Sequence, residues 1–181
     1  KKLIEKEIDI KVVSLIHKNK FLKNLPKKYC SGFYLPNFPS NKYIDKLNND
    51  KFNSYNRFHP IDIIHDTYYT PGVFKSLGIK KVITVHDLIH EKFKNYYRDS
   101  EDLINLKKKS FENCDYFICV SKNTKKDLIE FYNIDPDKIE VISHGVDHLI
   151  TEDIKSNSLS KFPFILYVGN RQRYKNFNFF L

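Results

Sequence analysis

Two His-Asp pairs and one cluster of cations are the residues of this sequence whose types and spacing could do chemistry. Ile61-Asp62-Ile63-Ile64 runs into His65-Asp66, and Val82-Ile83-Thr84-Val85 runs into His86-Asp87. An imidazole titrates near neutrality, so it can pass a proton or hydrogen-bond a sugar hydroxyl, and a carboxylate beside it can fix its orientation. A loop histidine satisfied by backbone groups is the bland alternative at either place. The third feature is F-I-L-Y-V-G-N-R-Q-R-Y-K-N-F-N-F-F, Phe164 to Phe180. Phe164 to Val168 is predicted to be a buried strand, Gly169 and Asn170 break it, and an apolar helical pattern begins after Asn176. Arg171, Arg173 and Lys175 crowd the turn between them. Backbone N–H groups and a helix N-terminus favour an anion there, so the turn suits a phosphate or diphosphate.

What must position these groups is a sheet. Short apolar runs recur at Ile8 to Ile16, Ile61 to Ile64, Lys81 to Val85, Tyr116 to Val120, Ile139 to Ile142 and Phe164 to Val168, each followed by polar residues and then a helical pattern. Such alternation predicts an α/β fold, a Rossmann-like parallel sheet with helices on both faces. Ligands of doubly wound sheets bind beyond the carboxyl ends of the strands, where both His-Asp pairs are expected. One helix is predicted over Asp99 to Cys114, with Leu103, Leu106, Ser110 and Cys114 on one face. A second, Asn123 to Tyr132, follows Ser121, has Thr124 and Asp127 at capping-box spacing and is expected to bury Leu128, Phe131 and Tyr132. Leu22 to Tyr55 reads as loops with one short helix near Lys42 to Asn48. In I-E-V-I-S-H-G-V-D, Gly145 is expected to take a backbone conformation denied to other residues, with a plain turn as the alternative.

The 181 residues allow one full domain plus part of another, and 41% apolar residues are ample for a packed core. The chain opens on Lys1-Lys2 and holds no methionine, so both ends are expected to be truncated. A net charge of +9, with lysines bunched at Lys18 to Lys28, Lys107 to Lys109 and Lys122 to Lys126, favours acidic partners. A lysine-rich composition decorating ordinary solvated faces would look the same. Three cysteines, Cys30, Cys114 and Cys119, without a C-x-x-C pair, suit a reducing compartment and argue against zinc. His86 and His90 stand four apart, but that spacing joins ligands only on a helix, and these residues leave a strand, so no metal is expected. No run approaches the roughly 18 apolar residues of a membrane span. G-x-S-x-G, Walker A and G-x-G-x-x-G sequences are absent, which removes local support for hydrolase, P-loop and ordinary dinucleotide readings.

Taken in order, V-I-T-V-H-D-L-I-H-E (82 to 91), C-D-Y-F-I-C-V-S-K-N-T-K-K-D-L (114 to 128), K-I-E-V-I-S-H-G-V-D (138 to 147) and I-L-Y-V-G-N-R-Q-R-Y-K-N (165 to 176) resemble the retaining GT-B glycosyltransferases, specifically the mannosyltransferase-like family-4 group. D-I-I-H-D-T-Y-Y-T-P (62 to 71) fits that group as well. The resemblance implies an acceptor-side Rossmann-like domain over residues 1–150, a linker over 151–161 and the start of a nucleotide-sugar-binding domain over 162–181. It implies a nucleotide-sugar donor, a saccharide or lipid-linked acceptor, no cofactor and no metal. His86 matches the histidine that meets the donor sugar, with Asp87 beside it. Gly169, Asn170, Arg171, Lys175 and Asn176 match the donor-diphosphate turn, and His65, Ser121 and Gly145 fall on the acceptor side or cleft. Retention in this group is ascribed to front-face attack helped by the leaving phosphate, so no glycosidase-type carboxylate pair is expected. A cytoplasmic place, peripheral on the inner face of the membrane, goes with such acceptors.

The sequence also departs from that family. The glycine-rich loop after the first strand and the Glu-x7-Glu motif of the donor domain are absent, so the chain by itself is expected to be catalytically silent. Two readings of other kinds stay open: a basic module for nucleic acid or an anionic membrane, against which stands the lack of a nucleic-acid recognition motif, and a GT-B-fold epimerase or phosphorylase.

Overall fold

The computed structural model describes residues 6, 8–38, 41–69, 78–97, 100–145, 163–171 and 175–181. Its strands are β1 (Val12–His17), β2 (Cys30–Tyr34), β3 (Ile63–Asp66), β4 (Lys80–Val85), β5 (Tyr116–Cys119) and β6 (Ile139–Val141). Its helices are α1 (Lys20–Lys23), α2 (Asn41–Phe58), α3 (Ile89–Lys92), α4 (Ser100–Phe111), α5 (Lys122–Tyr132) and α6 (Phe177–Phe180). One sheet pairs β1 with β2, and the other runs β3-β4-β5-β6. The pairs β1/β2, β3/β4 and β5/β6 are parallel, and helices separate β1 from β2, β2 from β3, β4 from β5 and β5 from β6, so the α/β Rossmann-like class holds. The chain divides into two compact units, Lys1–Ile83 with Leu106–Tyr116, and Thr84–Asn105 with Phe117–Leu181. The linker expected over Thr151 to Lys161 lies outside the described residues.

The first unit corrects the expectation of loops over Leu22 to Tyr55. That stretch contains β2 and most of the 18-residue α2, within which the short helix expected near Lys42 to Asn48 falls. Asparagines conceal the helical period: Ile44 is buried, Asn48 and Phe52 follow at four-residue steps, and Phe52 packs on the Ile64 and Ile79 cluster. Asn48 faces a polar target. The register of β1 on β2 shifts between Val13 and Ile16, a bulge that takes backbone groups out of the ladder. The Asn48 side chain replaces the lost partners, its Oδ1 accepting from Leu15 N (2.7 Å) and Ile16 N (3.0 Å) while its Nδ2 donates to Ile16 O (2.9 Å). Opposite the bulge stands Gly32, where a Cβ would collide with the Ser14 carbonyl, so only glycine lets the strands approach this closely.

β3 begins two residues later than the apolar run suggested and includes His65 and Asp66. The two His-Asp pairs therefore differ, one lying inside a strand and the other beyond a strand end. Asp66 is buried and meets the buried ammonium of Lys81 at 3.0 Å, an ion pair rather than an aligned hydrogen bond. The α4 helix buries a face of Ser100, Lys107, Ser110 and Phe111, with Leu103 and Leu106 half-buried beside it. Lys107, counted in sequence among the solvent-facing lysines, is fully buried, with its ammonium 5.2 Å from the centre of the Tyr69 ring.

In the second unit, α5 starts one residue earlier than predicted and its cap is Ser121, not Thr124 with Asp127. Ser121 is extended (φ −155°, ψ 161°) and its Oγ accepts from Thr124 N at 3.0 Å. Asp127 is taken instead by Lys92 Nζ at 2.8 Å. Leu128 is buried and Tyr132 half-buried as expected, but Phe131, although it shares the face of the buried Thr124 and Leu128, is exposed in the last turn of the helix. We expect Ser121→Ala to cost about 1 kcal/mol, measured by urea denaturation, with Ser121→Asp close to neutral.

The strand expected over Phe164 to Val168 is not formed. These residues carry no ladder, and Ile165, Leu166 and Val168 are 82%, 70% and 84% exposed. An apolar β-favouring run becomes a strand only when a neighbour supplies hydrogen-bond partners and a face to cover it, and none among the described residues does so here.

Candidate functional site

The carboxyl ends of β4, β5 and β6 bring three loops of the second unit together. His86 follows β4 directly and is half-buried. Its carbonyl accepts from Thr124 Oγ1 at 3.4 Å, and Thr124 Oγ1 lies 2.9 Å from Ser121 Oγ. Since the Thr124 hydroxyl gives its proton to His86, the Ser121 hydroxyl is the donor to Thr124. The cap of α5 and the backbone of His86 thus share one chain of hydroxyls. From the loop after β6, the exposed His144 stacks on His86, ring centroids 5.8 Å apart and planes 21° from parallel.

Asp87 is exposed, and its Oδ1 accepts from Ile89 N at 3.3 Å, which opens α3. That short helix is tied to α5. Glu91 is buried and its Oε1 accepts from Tyr132 Oη at 2.6 Å, while Lys92 bridges to Asp127. The hydrogen bond to Asp127, and then its charge, hold the Lys92 ammonium above the ordinary lysine range. An exposed pair of this sort adds little stability. The buried Glu91–Tyr132 contact is what fixes α3, and with it the segment from His86 to Leu88.

In the first unit, His65 lies within β3 and is exposed, although its imidazole rests against protein on one side. That desolvation holds its pKa below the ordinary histidine value, outweighing the opposite pull of the Asp66 carboxylate. Gly145 is a correction: its φ is not positive, and a Cβ there would meet open space, so neither backbone nor crowding requires glycine. Among the described residues no group of three or more His, Cys, Asp or Glu side chains could hold a metal ion.

Of the predicted anion turn, the bend at Gly169 and the helix after Asn176 are present, its strand is not formed, and residues 172–174 lie outside the described residues. Gly169 has φ +150°, and Tyr167 Oη donates across it to Asn170 O at 2.9 Å. Arg171 lies 4.7 Å from the centre of the Phe177 ring, and that ring meets Tyr167 edge-on at 4.6 Å. Asn176 adopts the left-handed conformation (φ 50°, ψ 37°) that asparagine tolerates, with exposed Lys175 just before it. The helix beyond has four residues, too few to lend much dipole, so attraction for an anion here would come from the side-chain cations. Arg173 lies outside the described residues.

The sequence profile described as Glycosyltransferase Family 4 matches residues 1–148. The chain belongs to that family. Its chemistry is therefore glycosyl transfer, between a sugar donor and an acceptor. The matched span contains His65, His86, Asp87, Ser121 and Gly145 and stops short of the Arg171 to Asn176 turn. Among curated proteins nothing matches the chain. No helix of the described residues is long and apolar enough to cross a membrane.

Within this family 4 chain, three features escaped the sequence reading. His144 lay inside a quoted motif, but only its neighbour Gly145 was singled out. Glu91, the last residue of the first quoted motif, proves to be a buried acceptor for Tyr132. Nothing in a run of three lysines marks Lys107 as the buried one.

The cysteines are set apart by burial. Cys119 is fully buried in β5, and burial pushes its thiol up to about 11, with Lys125 opposing weakly. Cys30 is also buried and raised, whereas Cys114 is half-buried, its Sγ donating to Ser110 O at 3.0 Å. At pH 8 we expect an alkylating reagent to label Cys114 first and to leave Cys119 unmodified until denaturant is added, as read by mass spectrometry. Folding holds the Cys119 proton that the unfolded chain releases. Its contribution to stability is therefore complete below about pH 9 and is lost as the pH climbs toward about 11.

Proposed function

We propose that the protein works in a retaining transferase that moves a hexose, mannose-like, from a nucleotide-sugar to a polysaccharide or lipid-linked acceptor. The observation that carries this reading is His86, held just past the carboxyl end of β4 in a family 4 chain, where an α/β sheet presents ligands. In the reaction the bond from the anomeric carbon to the donor phosphate breaks and a bond to the acceptor oxygen forms. The acceptor's proton leaves with the released phosphate, on whose oxygens negative charge grows. Arg171 and Lys175 neutralise that charge, and Gly169 lets the backbone come close. His86 hydrogen-bonds the sugar beside the reacting carbon. His65, Ser121 and Gly145 serve the acceptor side, and the reaction needs neither metal nor organic cofactor.

The protein acts in the cytoplasm, peripheral on the inner face of the membrane. Supporting this, Phe21 is 86% exposed among Lys18, Lys20, Lys23, Lys27 and Lys28 in the first unit, a basic and aromatic surface suited to anionic lipid.

The complete reading frame is tested with a panel of nucleotide-sugars and lipid-linked acceptors, product configuration being read by NMR. Retained configuration with a hexose donor is expected, and Arg171→Gln with Lys175→Gln should weaken donor binding and slow transfer by roughly 10²-fold or more. Inverted product, or donor affinity untouched by the double substitution, would refute the reading. Assayed alone, the 181-residue chain should show no transfer above background.

A further inference from the structure

The ring of His86 is held differently from its backbone. Its carbonyl is fixed by Thr124, and the chain before it by the ladder of β4. Neither constraint sets the tilt of the imidazole about its side-chain bonds. The face of that ring is met by His144, brought by the loop after β6 at 5.8 Å and 21°. This separation and near-parallel orientation fall in the range of offset stacking, which restricts a ring through its face. Stacking by itself uses neither ring nitrogen, so it can hold an imidazole that must still hydrogen-bond in its own plane.

We propose that His144 is a positioning residue for His86: by stacking on its face, it keeps the His86 imidazole in the orientation that glycosyl transfer uses. This rests on the reading of His86 as the group that meets the donor sugar. His144 is exposed and acts through His86, so its loss should leave the core intact. A flat aromatic ring without nitrogen should do the same work. A hydrogen-bonding role for His144 would demand the opposite.

The test compares the wild-type chain with His144→Ala and His144→Phe. Proton–nitrogen correlation spectra of the His86 side chain read its ring-current shift and tautomer balance directly, in the 181-residue chain. Alanine should move both, phenylalanine should keep the single ring environment, and thermal midpoints should stay within ~2 °C. If His86 signals are the same in His144→Ala as in the wild type, the stack does not hold the ring and the inference fails. The second arm measures transfer by the complete protein. We expect His144→Ala to lower kcat roughly tenfold with KM for the donor little changed, and His144→Phe to restore it. Loss in both variants would make His144 a polar binding group and overturn the positioning role. A wild-type protein that transfers no sugar would count against the proposed reaction, and the spectra would still decide whether His144 orients His86.

Discussion

Replacing His86 by alanine should lower glycosyl transfer by the complete protein by about 10²–10³-fold, the usual effect of removing one group aimed at a developing transition state. The fold should tolerate the change. Thr124 binds the backbone carbonyl of His86, which any residue retains, and the side chain is only half-buried. Asp87 provides the contrast. Its Oδ1 receives Ile89 N at the start of α3, a task that an asparagine oxygen performs as well. Asp87→Asn should therefore keep activity within a few-fold of wild type, whereas Asp87→Ala should lose activity and stability together as α3 loosens. A steady-state comparison of the three variants, with thermal midpoints alongside, separates the roles. Should Asp87→Asn fall as far as His86→Ala, the carboxylate's charge takes part in the chemistry and the turn is its lesser duty.

The largest effect on stability is expected at Lys81. Lys81→Met removes one partner of a buried ion pair and strands the Asp66 carboxylate, at a cost of about 3–5 kcal/mol. Asp66→Leu combined with Lys81→Met should recover most of that loss, because no uncompensated charge remains and both sites are enclosed. Urea denaturation gives the numbers, and a double variant no better than the single one would show that the pair acts through something other than charge. The pair also bears on register. In the β3/β4 ladder Asp66 lies opposite Ile83 and Ile64 opposite Lys81, so the ions meet diagonally on the buried face. A one-residue slip would turn Asp66 outward and His65 inward. The pair thus sets which of these neighbours reaches solvent.

Much of the region from β4 to β6 could be read from sequence because local rules agree there. β4, β5 and β6 fall within a residue or so of their apolar runs, and Ser121 precedes α5 as capping chemistry requires. The first unit was less legible. In α2, asparagine takes a core-facing position, so the apolar period that announces a helix is interrupted, and β2 has only Cys30 buried. At Phe164 to Val168 the opposite error arose: the residues have every local mark of a strand, but a strand is a pairing, and composition cannot supply the partner.

By itself the sequence determined the α/β class and the place of His86 just past a strand end. These follow from side-chain period, turn chemistry and capping, which act over a few residues. Only the tertiary structure decided that His144 lies on His86, that Asn48 fills the bulge of β1, that Lys81 and Lys107 are inside, and that Glu91 serves Tyr132. Each of those joins residues fifteen or more positions apart, and such contacts depend on how the strands are ordered and registered, information that no short window of sequence holds.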